Sequence, residues 1–234
     1  MKKLGIIGAM DQEVARLKAD MELVREIKKA RMSFCEGRLK GHPVVVVQSG
    51  IGKVNAAVCT QILIDEFGVD AVMNTGIAGS LNAQIDIGDI VISTDVLHHD
   101  MDAVSFGYAP GQIPQLDVLA FEADEEMASL AEKVCQEVNP DLHVFRGRIV
   151  SGDQFVADKA SKERIVSQFH GFCTEMEGAA IAQTAYLNGI PFVVIRAISD
   201  KADDSASEDY PTFEKKAIEH SVRLAEGFVE ALQR

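Results

Sequence analysis

The sequence predicts an α/β fold, one domain in which helices cover a mostly parallel or mixed sheet. Two observations carry this. Short runs that are apolar on both faces recur at Leu4–Ala9, Val44–Val47, Ala71–Met73, Ile90–Ile92 and Phe192–Ile198. Strands buried on both faces of a sheet look like this. Stretches with helical spacing separate several of them, and such alternation marks a sheet covered by helices.

Leu4–Ala9 is expected as a buried first strand. Two lysines before a short apolar stretch faintly imitate a signal peptide. The apolar part is short, Asp11-Gln12-Glu13 follows at once, and no A-x-A site appears. Lys53–Phe67 carries Val54, Ala57, Val58, Ile62 and Leu63 at helical spacing, and Ala123–Val138 and Glu177–Asn188 behave similarly. Pro211 suits the first turn of a last helix running to about Leu232. His98–Pro114 is the longest irregular stretch, and a loop of that length is usually functional or part of an interface. No linker or internal repeat divides the chain, so residues 1–234 form a single domain.

Composition excludes several classes of function. The 234 residues include 36 acids and 23 Lys and Arg, a formal charge of −13, with 47% hydrophobic and 25% charged residues. That is ordinary globular composition. The acidic balance argues against nucleic acid, whose binders need a basic face, and against anionic membrane surfaces. No run approaches the roughly 18 apolar residues of a membrane helix. Cys35, Cys59, Cys135 and Cys173 stand far apart with no C-x-x-C, which argues against a disulfide framework or a zinc site. Unpaired thiols in a reducing, cytoplasmic setting are the expectation.

In α/β sheets, ligands bind beyond the carboxyl ends of the strands. The apolar runs are followed by Met10-Asp11-Gln12-Glu13, Gln48-Ser49-Gly50-Ile51-Gly52-Lys53, Asn74–Ser80, Ser151-Gly152-Asp153-Gln154-Phe155 and Arg196–Asp200. Small residues and carboxylates at successive strand ends fit one composite pocket, although strand ends also need turn residues. Known motifs fail. Gly5-Ile6-Ile7-Gly8 lacks the second glycine of a dinucleotide fingerprint. Gly50-Ile51-Gly52-Lys53 lacks the outer residues of a phosphate loop. His98-His99 has no metal-ligand spacing and fits an ordinary loop pair. A sharper signal is Thr174-Glu175-Met176-Glu177-Gly178, two carboxylates flanking a methionine at a helix start, where acids are favoured for structural reasons too. Arg196 and Asp200 bracket another strand end and strengthen it.

Together these segments resemble the 5′-methylthioadenosine/S-adenosylhomocysteine nucleosidases of the purine nucleoside phosphorylase superfamily. The matching stretches are GIIGAMDQEV (5–14), SGIGKVNAA (49–57), NTGIAGS (74–80), GDIVIS (88–93), FGYAPGQIP (106–114), IVSGDQF (149–155), EMEGAAIAQ (175–183) and PFVVIRAISD (191–200). They run in family order over essentially the whole chain. The resemblance implies a single three-layer, nucleoside phosphorylase-like α/β domain with a central mixed sheet, assembled as a homodimer. It implies hydrolysis of the N-glycosidic bond of methylthioadenosine and S-adenosylhomocysteine, with 5′-deoxyadenosine as a further substrate. Adenine and a 5-thio-substituted ribose are released, the chemistry of methionine salvage. No metal or organic cofactor is implied.

The resemblance also assigns residues. Asp200 matches the acid that protonates adenine N7 as the bond breaks, a task that needs a raised pKa; Asp203 and Asp204 are placed to keep a proton on it, or to face solvent. Glu13 matches the water-activating residue. Glu177 matches the residue gripping the ribose hydroxyls, with Met176 against the sugar, and Arg196 matches a residue near the water and Glu177. Glu175 is acidic in the family pattern too, with helix-start stabilisation as its plain role. Phe155 would face the adenine ring, main-chain groups of Val156 would read its edge, and Ser199 would orient the acid. Ile77, Ala78 and Gly79 line the site from the NTGIAGS stretch. Met10, Ile51, Phe106, Tyr108 and Tyr210 match positions around the 5′-thio group, and Pro114 matches a residue reaching in from the partner. The chain departs from the family pattern at Ile77, Ser80, Gln12 and Tyr210, where serine, glycine, an acid and phenylalanine are common. A phosphorylase with the same fold would need cationic partners for phosphate near the first strand, where Glu13 would repel it. A non-catalytic nucleoside sensor could dispense with the acids, yet all three are present.

Overall fold

The computed structural model describes residues 1–233. Ten strands form one mixed sheet: β1 (Leu4–Gly8), β2 (Glu22–Lys29), β3 (Met32–Leu39), β4 (His42–Gln48), β5 (Ala71–Ser80), β6 (Ile90–His98), β7 (Phe121–Glu122), β8 (Val144–Ser151), β9 (Cys173–Glu175) and β10 (Phe192–Asp200). Six α-helices accompany them: α1 (Asp11–Asp20), α2 (Lys53–Phe67), α3 (Glu125–Val138), α4 (Lys159–Phe169), α5 (Gly178–Asn188) and α6 (Ala206–Ala231).

β1 pairs in parallel with β4 and with β5, so the first apolar run lies inside the sheet. Its five residues are all buried. The hairpins β2–β3 and β3–β4 extend the sheet antiparallel on one side. On the other side the sheet closes on itself. β5 pairs with β10, β10 with β6, β6 with β8, β8 with β9, and β9 returns to β5. The apolar runs are buried on both faces because helices cover both. α1, α3 and α6 pack one face around Val14, Leu17, Met127, Leu224 and Phe228. α2 and α5 pack the other around Ala56, Leu63, Ala179 and Ile181. This is the three-layer arrangement.

The structure changes some expectations. Asn74–Ser80 is not a loop after a strand. β5 runs through to Ser80 because β1, β10 and β9 all offer it partners. Pro211 does not sit in the first turn of the last helix. α6 begins at Ala206, which makes Pro211 its sixth residue. The start is set upstream, where the Ser205 hydroxyl donates to Asp203 and Asp209 and the backbone N–H groups of Glu208 and Asp209 donate to the Ser205 carbonyl. The proline removes one N–H from the ladder on an exposed face, where water can serve the freed carbonyl. Glu175 is not helical either; it ends β9, and Glu177 is the N-cap of α5. The long irregular stretch is present between β6 and β7, interrupted only by a single 3₁₀ turn at Val104–Phe106. All four cysteines are free and buried. Among the described residues no helix is long and apolar enough to cross a membrane.

Candidate active site

Three buried acids from different parts of the chain, Glu13, Asp200 and Glu177, form the site, with Glu13 and Asp200 against β5. Glu13 lies in the first turn of α1, and its Oε2 accepts the backbone N–H groups of Ala9 (2.6 Å) and Met10 (2.9 Å). Reaching back to its own N-cap is half of a capping box. Its Oε1 accepts the N–H of Ile77 in β5 at 3.2 Å. Burial pushes the Glu13 carboxyl up, against the opposing pull of Arg196 and the three N–H donors.

Asp200 ends β10. Its Oδ2 accepts the Ser199 hydroxyl (2.8 Å) and its Oδ1 the N–H of Ala202 (2.8 Å). Ala202 adopts a left-handed conformation at φ +51°, which turns its N–H back onto the acid. Burial raises the Asp200 pKa, the Ala202 and Ser199 donors oppose it, and the charges of Asp209 and Asp203 reinforce it. Asp203 is also paired with Lys162 at 3.2 Å, and Asp204 is exposed, accepting the Lys159 N–H.

Glu177 is buried, and its Oε1 accepts the N–H of Gly52 at the start of α2 (2.8 Å). The Gly50–Lys53 segment that resembles a phosphate loop therefore offers its amides to protein carboxylates. Gly52 serves Glu177, and Lys53 N–H serves Asp153 (2.8 Å). Burial and the neighbouring Glu175 push Glu177 up to about 8, with Arg196 and Gly52 N–H opposing. Asp100 ties this region together, accepting Lys53 Nζ (2.6 Å) and the Asp153 N–H (3.0 Å).

Arg196 is the largest fully buried side chain. Its Nη2 donates to Glu175 Oε2 and Asn74 Oδ1, and its Nη1 to the Ile195 carbonyl. Burial pushes Glu175 up, but Arg196 and the Ser151 hydroxyl more than offset this and hold it below its ordinary value. The same Glu175 Oε2 accepts the N–H groups of Glu177 (3.0 Å) and Gly178 (2.8 Å). Glu175 thus stabilises the helix start and holds the arginine at once. A buried carboxylate tolerates the loss of water only with this many donors.

Around the acids, Tyr210 donates to Met10 Sδ (3.4 Å) and Glu214 (3.1 Å), and its ring meets Phe155 edge-on at 5.7 Å. Phe155 is half exposed, leaving a ring face open. Val156 turns its side chain into a small core with Leu81, Leu97 and Ala202. Met176 is half-buried between Glu175 and Glu177, and Ala78 and Gly79 are buried in β5. Ile51 is exposed. Phe106, Tyr108 and Pro114 lie on the β6–β7 loop, Phe106 fully on the surface at 83% exposure. Among the described residues, no hydrogen bond or ring contact joins these three to the acids of the same chain. The pair His98-His99 is buried, with His98 Nε2 3.0 Å from Gln183 Oε1.

Asn74, Ser151, Gly52 and Asp209 take part without having been singled out in the sequence. Asn74 opens the NTGIAGS stretch, and a buried amide beside a buried arginine is the signal it offered. Gly52 acts through its backbone and carries no side-chain signal at all.

A fold with a closed mixed sheet and a polar cluster at the carboxyl ends of β1, β5 and β10 defines a nucleoside phosphorylase-like protein. The family model described as the Phosphorylase superfamily matches residues 3–230. A relative from Chromohalobacter salexigens called 5′-methylthioadenosine/S-adenosylhomocysteine nucleosidase is 46% identical over 99% of this chain and 98% of its own length. The nucleosidase of that name from Neisseria meningitidis, solved with methylthio-immucillin-A, superposes with a TM-score of 0.95 at 42% identity, covering 99% of this chain and 100% of that one. The Colwellia psychrerythraea nucleosidase, solved with adenine, gives 0.93 at 39% identity, covering 97% and 94%. The chain belongs to the methylthioadenosine/S-adenosylhomocysteine nucleosidase family within that superfamily.

Proposed function

We propose that this protein hydrolyses the N-glycosidic bond of 5′-methylthioadenosine and S-adenosylhomocysteine, and of 5′-deoxyadenosine, in the cytoplasm. The observation that carries the reading is the set of three buried acids, Glu13 and Asp200 against β5 and Glu177 at the start of α5, each in an environment suited to a different step. Asp200, raised by burial and by two neighbouring acids, holds a proton and gives it to adenine N7 as the base leaves. Glu13, fed by three backbone donors, takes a proton from the attacking water. Glu177 grips the ribose hydroxyls, and positive charge at C1′ favours its ionised form. Ser199 and Ala202 orient Asp200. Arg196 is engaged by Glu175 and Asn74, and the acid Glu13 stands where a phosphorylase would need to receive phosphate. Water is therefore the nucleophile.

Phe155 faces the adenine ring, Val156 reads its edge with main-chain groups, and Met176 lies against the sugar. Met10, Ile51 and Tyr210 line the 5′ slot with Ile77, Ala78 and Gly79 behind it. A second copy of the chain completes the slot with Phe106, Tyr108 and Pro114. Support comes from an apolar surface: Val54 and Val58 are exposed one turn apart on α2, and Leu187 is exposed on α5, which Gln61 and Asn188 tie to α2. Exposed apolar patches of this kind mark association.

The test is release of the free base in phosphate-free buffer, adenine from methylthioadenosine, S-adenosylhomocysteine and deoxyadenosine and hypoxanthine from inosine. Release from the first two without phosphate is expected, and strict dependence on phosphate would overturn the reading. Sedimentation of the protein and of Val54→Asp/Val58→Asp gives the assembly: a dimer for the first, a monomer for the second.

A further inference from the structure

A cationic groove lies beside the 5′ slot in a chain of charge −13. Its volume is about 470 Å³, and Lys18, Lys28 and Arg31 line it together with Ser33, Gln48, Ser49, Gly50 and Asn55. None of the three cations makes an ion pair among the described residues. Cations on the other face of the same strand are paired: Arg25 with Glu36, and Lys29 with Glu66. Arg31 is presented by the β2–β3 turn, where Ala30 (φ +49°) and Arg31 (φ +63°) are both left-handed. Such a two-residue turn favours Asn or Gly, and an arginine there carries steric cost. One acid attends the groove: Glu26, which accepts the Ser33 hydroxyl.

The groove is joined to the site through the backbone. Ser49 N–H donates to the Gly8 carbonyl (2.9 Å) and Gly50 N–H to the Ala9 carbonyl (3.1 Å). Met10 follows Ala9 and Ile51 follows Gly50, so the second link stands one residue from the 5′ slot and the first two residues from it. Methylthioadenosine ends at a methyl group on sulfur. S-adenosylhomocysteine continues through three carbons to a carboxylate and an ammonium, a reach of about 5 Å from sulfur at ordinary bond lengths. Three unpaired cations with one neighbouring acid are the complement of that zwitterion.

We infer that this groove receives the α-amino acid end of S-adenosylhomocysteine, its carboxylate toward Lys18, Lys28 and Arg31 and its ammonium toward Glu26. The inference rests on the hydrolase reading above and assigns specificity within it. The cations act through exposed pairs, so their combined effect is modest and screened by salt.

The test compares both substrates in wild type and in Lys18→Gln/Lys28→Gln/Arg31→Gln. For S-adenosylhomocysteine, KM should rise about threefold to tenfold in the variant with kcat unchanged. Methylthioadenosine, which lacks the amino acid, serves as internal control and should keep both constants. The wild-type KM for S-adenosylhomocysteine should rise with salt, and its carboxamide should bind to wild type and variant alike. An unchanged ratio of the two KM values overturns the inference, whether both rise together or neither moves. If wild-type protein releases adenine from neither substrate, the hydrolase reading itself fails and the inference falls with it.

Discussion

A methyl group on Gly76 would stand 2.5 Å from Glu13 Oε1. Glycine at this position in β5 is what lets the carboxylate lie against the strand and accept the Ile77 N–H. Gly79 stands in the same relation to Asp200, where an added Cβ would meet Oδ1 at 2.7 Å. Both glycines bring the β5 backbone close to the acids.

Gly76→Ala should therefore displace Glu13 without removing it. A misplacement near 1 Å costs on the order of 10²-fold in turnover, and overpacking costs about 1–3 kcal/mol of stability. Steady-state adenine release and urea unfolding measure the two effects. Wild-type turnover in this variant would mean that the position of Glu13 is not critical.

Asp200→Asn removes the proposed proton donor but keeps the shape. Its kcat should fall about 10²- to 10⁴-fold while methylthioadenosine still binds, as read by calorimetry. Ser199→Ala is the finer test. The Ser199 hydroxyl favours the ionised form of Asp200, so its loss raises the pKa of the acid. A general acid fails as pH climbs through its pKa, so the alkaline limb of kcat should move to higher pH. An unmoved limb would detach Ser199 from the acid.

Burial and the neighbouring Glu175 push the Glu177 carboxyl from an ordinary 4.5 up to about 8 in the folded chain. A carboxyl raised on folding contributes stability that is fully present below its unfolded pKa and lost as pH rises through the folded one. Between about pH 4.5 and 8 wild-type protein should lose stability relative to Glu177→Gln, whose amide does not titrate. The Tm difference, variant minus wild type, should grow across that window and level off above it. A difference constant with pH would show that Glu177 is already ionised at low pH in the native state.

Arg196→Met leaves Glu175 buried with its guanidinium gone and Asn74 Oδ1 without its donor. Breaking a buried pair from one side costs about 3–5 kcal/mol. Denaturant unfolding should show that loss, and Arg196→Met/Glu175→Gln should recover part of it. No recovery in the double variant would mean that the pair is not what the arginine stabilises.

Much of the site was legible because its acids sit in short stretches of sequence with small neighbours. Glu175 and Glu177 stand out as paired acids at a helix start and Arg196 and Asp200 as charges bracketing a strand end, and the order of motifs supplies the family. The helices at Lys53–Phe67 and Gly178–Asn188 were visible in their spacing. The hairpin strand β2 was not, because seven of its eight residues are exposed and no apolar period marks it. The closure of β9 onto β5 was hidden as well, since it rests on two paired positions, Gly79 with Thr174 and Ser80 with Cys173. The α6 start is hard to read because Pro211 marks a helix start more strongly than Ser205 and the acids around it, which set the actual one.

β5 touches Glu13, Arg196 and Asp200. Ile77 donates to Glu13, Gly79 packs on Asp200, and Asn74 accepts from Arg196. Pinned by β1, β10 and β9, this strand is a common mechanical reference for groups that are distant in sequence. The spacing between Glu13 and Asp200, distant in sequence, is thereby set by one strand rather than by two independent loops.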